Sequence, residues 1–392
     1  MNRVKNMNPK TIITIILITF FSIEVNAQID TTSKSVHKFE FDGQASAYTS
    51  YSPKNDLDMF LGGRYLPELN YSYTFKNESM LDFEASANIY GSVLFHPFNN
   101  SKTDGDIAPY RIWGRFTGKQ YEVRVGLQKL DFGTAMMLRP LQWFDEIDPR
   151  DPLKFTTGVY GALGRYYFLN NANIWAWALY GNENPRGFEL MKNNQDIPEF
   201  GGRIQLPVPR GEIAGTYHHR NASSEDLQGF PVYDNIPENR YALDGKWDVV
   251  VGVWFEALQV NKTKNVGMLT NQSYLTLGVD YTFGIGSGLN VTLENLLSTY
   301  DEKAFAFGNT SNVTATSIAY PLGFFDNLSA MAYYAWESKD FSFFINYEHQ
   351  FKRFTGYIMA YYNPDSQSGM GTTQLENSFS GPGIRLMLVY NH

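Results

Sequence analysis

The stretch from Leu69 to Ile89 decides the fold. It reads LNYSYTF, then KNES, then a second run, MLDFEASANI. In both runs apolar and polar residues alternate, and a period of two places them on opposite faces of a β-strand. The four polar residues between the runs predict a tight turn. The same pattern returns along most of the chain, so we expect an all-β, antiparallel transmembrane barrel with lipid outside and water inside.

Composition supports this interpretation and excludes other classes. The chain has 392 residues, of which 43% are hydrophobic and 16% aromatic, and it has no cysteine. That content is too high in aromatic residues for a disordered protein, and its apolar runs are too short for a bundle of membrane helices. The formal net charge of -8 argues against a nucleic-acid partner. The absence of cysteine excludes a disulfide framework and an acylated N-terminal cysteine.

One apolar run at the start of the chain predicts export. Residues 11–22 are apolar, follow Lys5 and Lys10, and precede the small-residue sequence VNA that ends at Ala27. The run is too short to span a bilayer as a helix, so residues 1–27 are predicted to be a cleaved signal peptide. Residues 28–392 then form a single barrel domain. Together the signal and the barrel predict a location in the outer membrane of a Gram-negative cell, with membrane lipids as partners.

About eighteen strands are predicted, joined alternately by short turns and by longer polar loops such as 96–109 and 131–157. The intervals 239–261 and 313–336 each read as two strands or as one bent strand, so a count of sixteen stays open. Aromatic residues cluster beside the short turns, which predicts a ring at the lipid interface. The predicted ring consists of Tyr73, Phe75, Phe83, Phe116, Tyr121, Tyr166, Phe168, Trp175, Trp177, Tyr281 and Phe283.

Charged residues occupy the inward positions of the predicted strands in two groups. The earlier strands carry mainly cations and the later strands carry acids, so one hypothesis is a basic wall facing an acidic wall across the lumen. The alternative is that these charges are merely solvated, or pair with each other. The first group is Arg64, Arg111, Arg115, Arg124, Gln128, Arg165 and Arg203, and the second is Glu212, Asp244, Glu256, Asp280, Glu294 and Glu348.

The loop from Asp131 to Gly158 has an unusual composition. It contains MMLRPLQWF at 136–144 and DEIDPRD at 145–151. Apolar residues of this number do not favour a loop that stays in solvent. We therefore predict that the loop folds inward as a constriction lined by Arg139, Asp145, Asp148 and Arg150, with Trp143 and Phe144 as anchors. An external cap is the alternative, and calcium binding by the acids is disfavoured because their spacing matches no known loop.

A family resemblance lies around this loop. The sequence VGLQKLDFG at 125–133, followed by a loop rich in Trp, Pro and Asp, resembles the alginate-export and phosphate-selective groups of porin-like channels. The sequence YALDGKW at 241–247 is similar to their recurring strand openings. The resemblance implies an outer-membrane diffusion channel. Those families often place Arg or Lys where this chain has Leu127, so a polyanionic substrate is not implied.

The predicted function is a passive channel for small hydrophilic or charged solutes, as a monomer or a trimer. No catalytic constellation, cofactor site or metal site is predicted. His218 and His219 are adjacent on a strand and point to opposite faces, so they cannot share a metal ion. The competing interpretation is a barrel that acts as an enzyme, or as a binding or adhesion scaffold through its outer loops.

Overall fold

A computed structural model describes residues 36–53, 58–97, 101–364 and 381–392 of the chain. The predicted signal peptide lies outside these residues. Residues from Val36 to His392 form one compact unit. Within the described residues, no helix is long and apolar enough to cross a membrane.

The described residues form nineteen strands, and eighteen of them build the barrel. The remaining strand, β8, has two residues and pairs with the end of β10 inside a loop. The strands are β1 (Val36–Tyr51), β2 (Met59–Thr74), β3 (Met80–Phe95), β4 (Ser101–Thr117), β5 (Tyr121–Gln128), β6 (Val159–Tyr167), β7 (Asn173–Leu179), β8 (Lys192–Asn193), β9 (Glu199–Val208), β10 (Gly211–Ser223), β11 (Ile236–Asp248), β12 (Gly252–Lys262), β13 (Asn271–Phe283), β14 (Leu289–Asp301), β15 (Thr310–Pro321), β16 (Asp326–Ala335), β17 (Asp340–Gln350), β18 (Phe354–Asn363) and β19 (Gly381–Asn391).

Each barrel strand pairs antiparallel with its neighbours, and the first strand closes the wall by pairing with the last. In this seam Gln44 to Tyr51 of β1 pair with Asn391 to Ile384 of β19. Closure leaves no sheet edge along that stretch, which is the requirement for a β-structure in lipid. The predicted antiparallel barrel and its count of eighteen are confirmed, because 239–261 and 313–336 each form two strands.

The strand β4 is much longer than predicted. Residues 101–109 were expected in a loop, but they belong to β4 and pair with β3 across a β-bulge opposite Ser86 and Ala87. Asp104, Gly105 and Pro109 are poor strand formers, which is why the sequence favours a loop here. Pairing with the long β3 overrides that local preference, and the bulge places Pro109 at an irregularity where a strand accepts it.

The two faces of the wall differ as the alternation requires. On β19, Ile384, Leu386 and Leu388 are about half exposed on the outer face, whereas Arg385 and Met387 between them are buried on the inner face. The outer face is therefore an apolar surface suited to lipid. The inner face carries the polar and charged side chains, together with apolar patches that the loops cover.

Most of the predicted interfacial aromatic residues lie on the outer face near the short turns. Tyr73 and Phe75 contact edge to face at 4.6 Å, and Tyr281 and Phe283 do so at 4.8 Å. The prediction of lipid contact is wrong for Trp175 and Trp177, because both lie on the inner face of β7. The Trp177 side chain is buried among apolar residues and its indole N–H donates to His218. Their side-chain parity, and not their closeness to a turn, decides where they point.

A charge on the outer face tests the orientation of the wall. Leu277 lies at the middle of β13 and is 54% exposed on the outer face. We expect Leu277→Arg to lower the free energy of unfolding by about 2–4 kcal/mol, the cost of a cation near the bilayer midplane. Guanidinium titration in phospholipid vesicles, followed by Trp fluorescence, measures this change. Val250→Arg in the exposed β11–β12 turn is the control, and equal losses for the two variants would contradict the assigned orientation.

Candidate functional site

The loop between β5 and β6, residues 129–158, packs against the inner face of the wall. We call it the inner segment. Its side chains Leu130, Leu141 and Phe144 are at most 1% exposed. They share one apolar cluster with wall residues of six strands, among them Leu163, Trp177, Leu258, Tyr274, Leu296 and Val313. Burial of these apolar side chains is the main interaction that holds the first half of the segment, residues 130–144, against the wall.

Aromatic rings give this packing a defined geometry. The rings of Phe132 and Trp143 meet edge to face with centroids 5.4 Å apart, and Phe144 meets Trp177 in the same way at 5.5 Å. Phe132 stacks on Trp177 at 5.7 Å. Such pairs contribute beyond the area that they bury. The predicted anchor Phe144 therefore contacts the wall through the Trp177 indole, which was predicted to face lipid, and Trp143 meets the wall at the His218 ring, 5.9 Å away.

Glu294 of β14 binds the backbone of the inner segment. Its carboxylate accepts hydrogen bonds from the backbone N–H groups of Met136, Met137 and Leu138, at 2.6, 2.9 and 2.7 Å. The indole N–H of Trp254 donates a fourth bond, at 2.9 Å. The side chain is fully buried. A carboxylate that receives consecutive backbone N–H groups makes strong, charge-assisted hydrogen bonds.

Glu256 of β12 binds the backbone on both sides of residues 136–138. It accepts from the backbone N–H groups of Thr134, Ala135 and Leu141, at 2.6, 2.8 and 3.2 Å. Gly133, with φ of +103°, makes this approach feasible, because a Cβ atom there would lie 2.4 Å from Glu256 Oε1. We call Glu256 and Glu294 the carboxylate clamp. Both were predicted to face water in the lumen, and this is wrong, since neither is exposed to any extent.

The second half of the segment, residues 145–158, reaches the opposite side of the wall. Arg111 of β4 donates to the carbonyl of Thr157 at 3.1 Å and to the hydroxyl of Thr156. Phe155 stacks on Tyr110 at 4.9 Å, and the guanidinium of Arg64 lies 4.2 Å above the Phe155 ring. Around the closed wall, β4 and β14 are nine of eighteen strands apart. The inner segment therefore contacts diametrically opposed strands.

Further contacts of this half lie on the last strands. Arg150 binds Asp148 through two nitrogens and reaches the Asn363 side chain of β18 at 3.4 Å. Leu153 packs against an apolar cluster from β17, β18 and β19 that includes Met359 and Met387. Arg150 and Asp148 are thus bound to each other, with 18% and 10% of their side chains exposed. They lie at the water-accessible edge of the segment.

Two consecutive acids mark the middle of the segment. Asp145 is fully buried, and neither carboxylate oxygen has a hydrogen-bond partner among the described residues. Burial raises the pKa of Asp145 to about 7, and the Asp131 carboxylate adds to the effect. Burial also raises the pKa of Glu146 to about 7, although the backbone N–H of Gly187 donates to it at 3.2 Å. Asp145 was predicted to line an open constriction, and its burial makes that prediction wrong.

Arg139 also lies inside the segment rather than along a free passage. It donates to Asp131 at 2.5 Å, and its side chain is 11% exposed. The neighbouring Asp131 holds the pKa of Arg139 above its usual value despite burial. This pair ties the start of the segment to its first turn. Lys129 lies 3.2 Å from Asp131 and 3.8 Å from Asp145.

The remaining predicted charges lie on the inner face and mostly pair with opposite charges on the same strand or on strands one or two positions away. Arg115 binds Asp82, Arg165 binds Glu122 at 3.1 Å, and Arg203 binds Asp244 at 2.6 Å. Arg124 lies 3.8 Å from Glu122 and 4.6 Å from the centre of the Trp113 ring. Asp280 lies at the inner position of β13, near the turn that precedes β14.

The charges therefore do not form two opposed walls, one basic and one acidic. Arg203 and Asp244 come from the two predicted walls but bind each other directly, because β9 and β11 are separated by one strand. Both are buried, as is Arg111. Arg115, Arg124 and Arg165 are partly exposed cations, with 25%, 14% and 16% of their side chains accessible, and Arg64 is also partly exposed. The alternation of side chains along a strand identifies correctly which residues lie on the inner face, but it does not identify the residue with which each charge pairs.

Sequence reasoning missed a second loop that contacts the inner wall. In residues 180–198, Glu189 accepts from Arg220 at 2.9 Å and from Arg240 at 2.7 Å. Glu238 binds the same two arginines and Lys262, and all of these side chains are nearly fully buried. The available signal was the run of charges at even positions of β10, β11 and β12. Charges of this kind, at strand ends beside a long loop, favour a buried network of ion pairs between the strands and that loop.

His218 and His219 diverge as predicted. His218 is fully buried, contacts Glu199 at 3.2 Å and receives the Trp177 N–H, while His219 lies on the other face near Asn239. Within the ranges that the structure describes, no group of three or more His, Asp or Glu side chains is arranged to bind a metal ion.

Solved structures show the same fold. The chain is similar to OccD3 (OpdP) from Pseudomonas aeruginosa, with 10% identity over 90% of this chain and 91% of that one and a TM-score of 0.55. It is similar to OccAB4 from Acinetobacter baumannii, with 10% identity over 92% and 100% and a TM-score of 0.54. A third is Wzi from Escherichia coli, a carbohydrate-binding outer-membrane β-barrel involved in group 1 capsule assembly, with 10% identity over 88% and 83% and a TM-score of 0.52.

No protein-family model and no curated protein matches the sequence. At 10% identity the likeness to solved structures concerns the fold. The chain has the fold of a porin-like outer-membrane barrel, as predicted. The narrower resemblance to the alginate-export and phosphate-selective groups stays a prediction.

The carboxylate clamp predicts two separate patterns of amide exchange. In Glu294→Ala the N–H groups of 136–138 lose their acceptor, and in Glu256→Ala those of 134, 135 and 141 lose theirs. We expect these amides to exchange at least about tenfold faster, since each bond to a charged acceptor contributes about 1.5–3 kcal/mol. Hydrogen exchange with residue-level fragmentation measures this difference.

Each clamp variant is the control for the other. The amides that face the intact carboxylate should keep most of their protection, and so should the strands of the barrel. Unchanged exchange at 134–141 in both variants would contradict a role of the clamp in fixing the segment.

Proposed function

We propose that the chain forms a water-filled channel in the outer membrane for passive diffusion of small hydrophilic solutes, and that the inner segment narrows it. The observation that carries this proposal is the combination of an eighteen-strand closed wall with charged side chains that keep contact with water on its inner face. Barrels of about this strand number enclose an aqueous channel. Membrane lipids on the outer face and small solutes inside are then the partners. Nothing in this proposal requires catalysis.

Partly exposed arginines contribute positive charge to the inner face on the side of β4, β5 and β6. Arg115, Arg124 and Arg165 are partly exposed, and Asp82 and Glu122 form ion pairs with them. The two clamp acids are buried against backbone N–H groups and present no charge to a passing solute. Glu84 of β3 lies on the same inner face and accepts a hydrogen bond from Trp113, so the three arginines lie among three acids. Charges on the inner face tune selectivity in barrels of this kind.

Aromatic rings keep these arginines extended. The guanidinium of Arg165 lies 3.8 Å from the centre of the Trp175 ring, and the guanidinium groups of Arg115 and Arg124 lie 5.2 and 4.6 Å from that of Trp113. A guanidinium over an aromatic face is stabilised by the ring quadrupole. The rings therefore support the arginine side chains without neutralising them.

Reconstitution of residues 28–392 in a planar bilayer tests the function and the selectivity. We expect ion channels whose reversal potential in a salt gradient moves toward cation preference in Arg124→Ala/Arg165→Ala. The permeability ratio should change by about two- to fivefold, because a single charge at close range in water contributes on the order of 1 kcal/mol. Lys76→Ala/Lys119→Ala removes two exposed cations from the short turns and is the matched control.

Two outcomes would contradict the proposal at different levels. A folded protein that opens no channel would remove the channel function. Channels with unchanged selectivity in Arg124→Ala/Arg165→Ala would remove the role of the arginines and leave the channel itself.

A binding barrel is the second candidate function. It is favoured by the contacts of the inner segment with opposed strands, which leave less open cross-section than a wide pore, and by the fold shared with the carbohydrate-binding Wzi. A barrel of this kind would bind its ligand through the outer loops and conduct no ions. The same bilayer recording separates the two functions.

A further inference from the structure

The two halves of the inner segment are bound to the wall in different ways. Residues 130–144 contribute six backbone N–H groups to the carboxylate clamp and seven side chains to the main apolar cluster. The contacts of residues 145–158 with the wall include Arg150, Leu153, Phe155, the two threonines that Arg111 binds, and the buried Asp151, which faces Arg64 and Arg385. The first half is therefore the more firmly bound part.

The junction between the halves lies at Asp145 and Glu146. In the described structure Asp145 is buried without a hydrogen bond to either oxygen, and its nearest cation, Lys129 Nζ, is 3.8 Å away. An ionised carboxylate in such a place costs free energy unless it is paired and hydrogen-bonded. Glu146 bridges the second half to the 180–198 loop through the Gly187 N–H, and its own N–H donates to Thr157. Ionisation of these two groups thus opposes the packed arrangement.

Charged groups from several elements face the pair. Asp145 is surrounded by Lys129 and Asp131 after β5, by Arg139 of the first half and by Arg111 of β4. Glu146 faces Arg186 and Glu189 of the 180–198 loop. The cations favour the ionised forms, while burial, Asp131 and Glu189 oppose them. Desolvation is the largest effect at both sites.

We propose that residues 145–158 are a gate within the channel, closed when Asp145 and Glu146 are protonated and released when they ionise, while residues 130–144 stay bound to the wall. This inference rests on the proposed channel function and adds its regulation. The solute path then opens on the side of β1, β2, β18 and β19, where Leu153, Phe155 and Arg150 leave the wall.

The direction of the pH effect follows from linkage. Burial raises the pKa of both carboxyl groups to about 7, from usual values of 3.8 and 4.5. At pH values between these usual pKa values and about 7, the packed gate binds protons that the released gate does not. The packed form therefore loses stability as the pH rises from about 4 to about 7, and it changes little above that range. The channel should conduct least in acid.

Conductance of the reconstituted chain between about pH 4 and pH 9 is the first test. We expect the wild type to rise from low to high conductance with its upper plateau above about pH 7. Asp145→Asn/Glu146→Gln, which mimics the protonated pair, should stay at the low level throughout. Asp196→Asn/Glu225→Gln removes two exposed carboxylates from the outer loops and should keep the wild-type profile.

Thiol labelling is the second test, and it is independent of conductance. The chain has no native cysteine, so single cysteines can be placed at Leu153 in the gate, at Leu141 in the first half and at the exposed Val232 as reference. We expect the labelling rate at position 153, divided by that at position 232, to rise by at least about tenfold between pH 5 and pH 8. The same ratio for position 141 should stay constant.

The outcomes separate this inference from the channel function. Absence of any channel contradicts the proposed function, whereas channels with a flat pH profile and a constant ratio at position 153 contradict the gate alone. Parallel increases at positions 141 and 153 would show release of the whole segment and would also overturn the proposal. In Asp145→Asn/Glu146→Gln the labelling ratio at position 153 should depend on pH much less than in the wild type, and any remaining dependence should come from the buried Asp151, which accepts the Leu153 N–H and whose pKa burial also raises.

Discussion

The hydrogen bonds between two wall carboxylates and six backbone N–H groups are the constraint on which the interior depends. The side chains of Glu256 and Glu294 are not accessible to solvent, so the backbone of residues 134–141 supplies most of their hydrogen-bond partners. Those N–H groups in turn have no ladder to join, because the segment is not a strand. Each side satisfies the other, and this fixes where the apolar side chains of the segment meet the wall. The position of the second half then follows from that of the first.

Much of the fold was predictable because lipid permits few solutions. A period of two with aromatic residues beside short turns is enough to predict strands, their inner faces and a closed wall. The length of β4 was not predictable, since pairing with β3 overrides the weak strand propensity of residues 104–109. Trp175 and Trp177 are a second case in which tertiary packing overrides a local sequence signal. Their proximity to a turn suggested lipid contact, although the parity of β7 and the rings of the inner segment place them inside.

The candidate site was predictable in its location but less so in its chemistry. The apolar residues at 136–144 pointed to a segment that packs, and every charged strand residue selected by parity lies on the inner face. Parity says nothing about what lies opposite a side chain. A carboxylate that binds backbone N–H groups has no sequence signal, because the donors belong to every residue except proline. The contribution of the 180–198 loop was missed for a related reason, since Arg186 and Glu189 resemble ordinary loop charges until the wall residues Arg220 and Arg240 are placed beside them.

The carboxylate clamp also has a consequence for the order in which the barrel assembles. The acceptors on β12 and β14 lie 115 to 158 residues beyond the N–H groups that they bind. The strands before β12 can pair with one another, but they cannot bury the first half of the inner segment or satisfy its backbone. A partly built wall would therefore carry an unbound loop with several exposed aromatic rings, a species prone to aggregation. Insertion of the C-terminal strands is the step that removes this hazard, so closing the wall and filling its interior are coupled events.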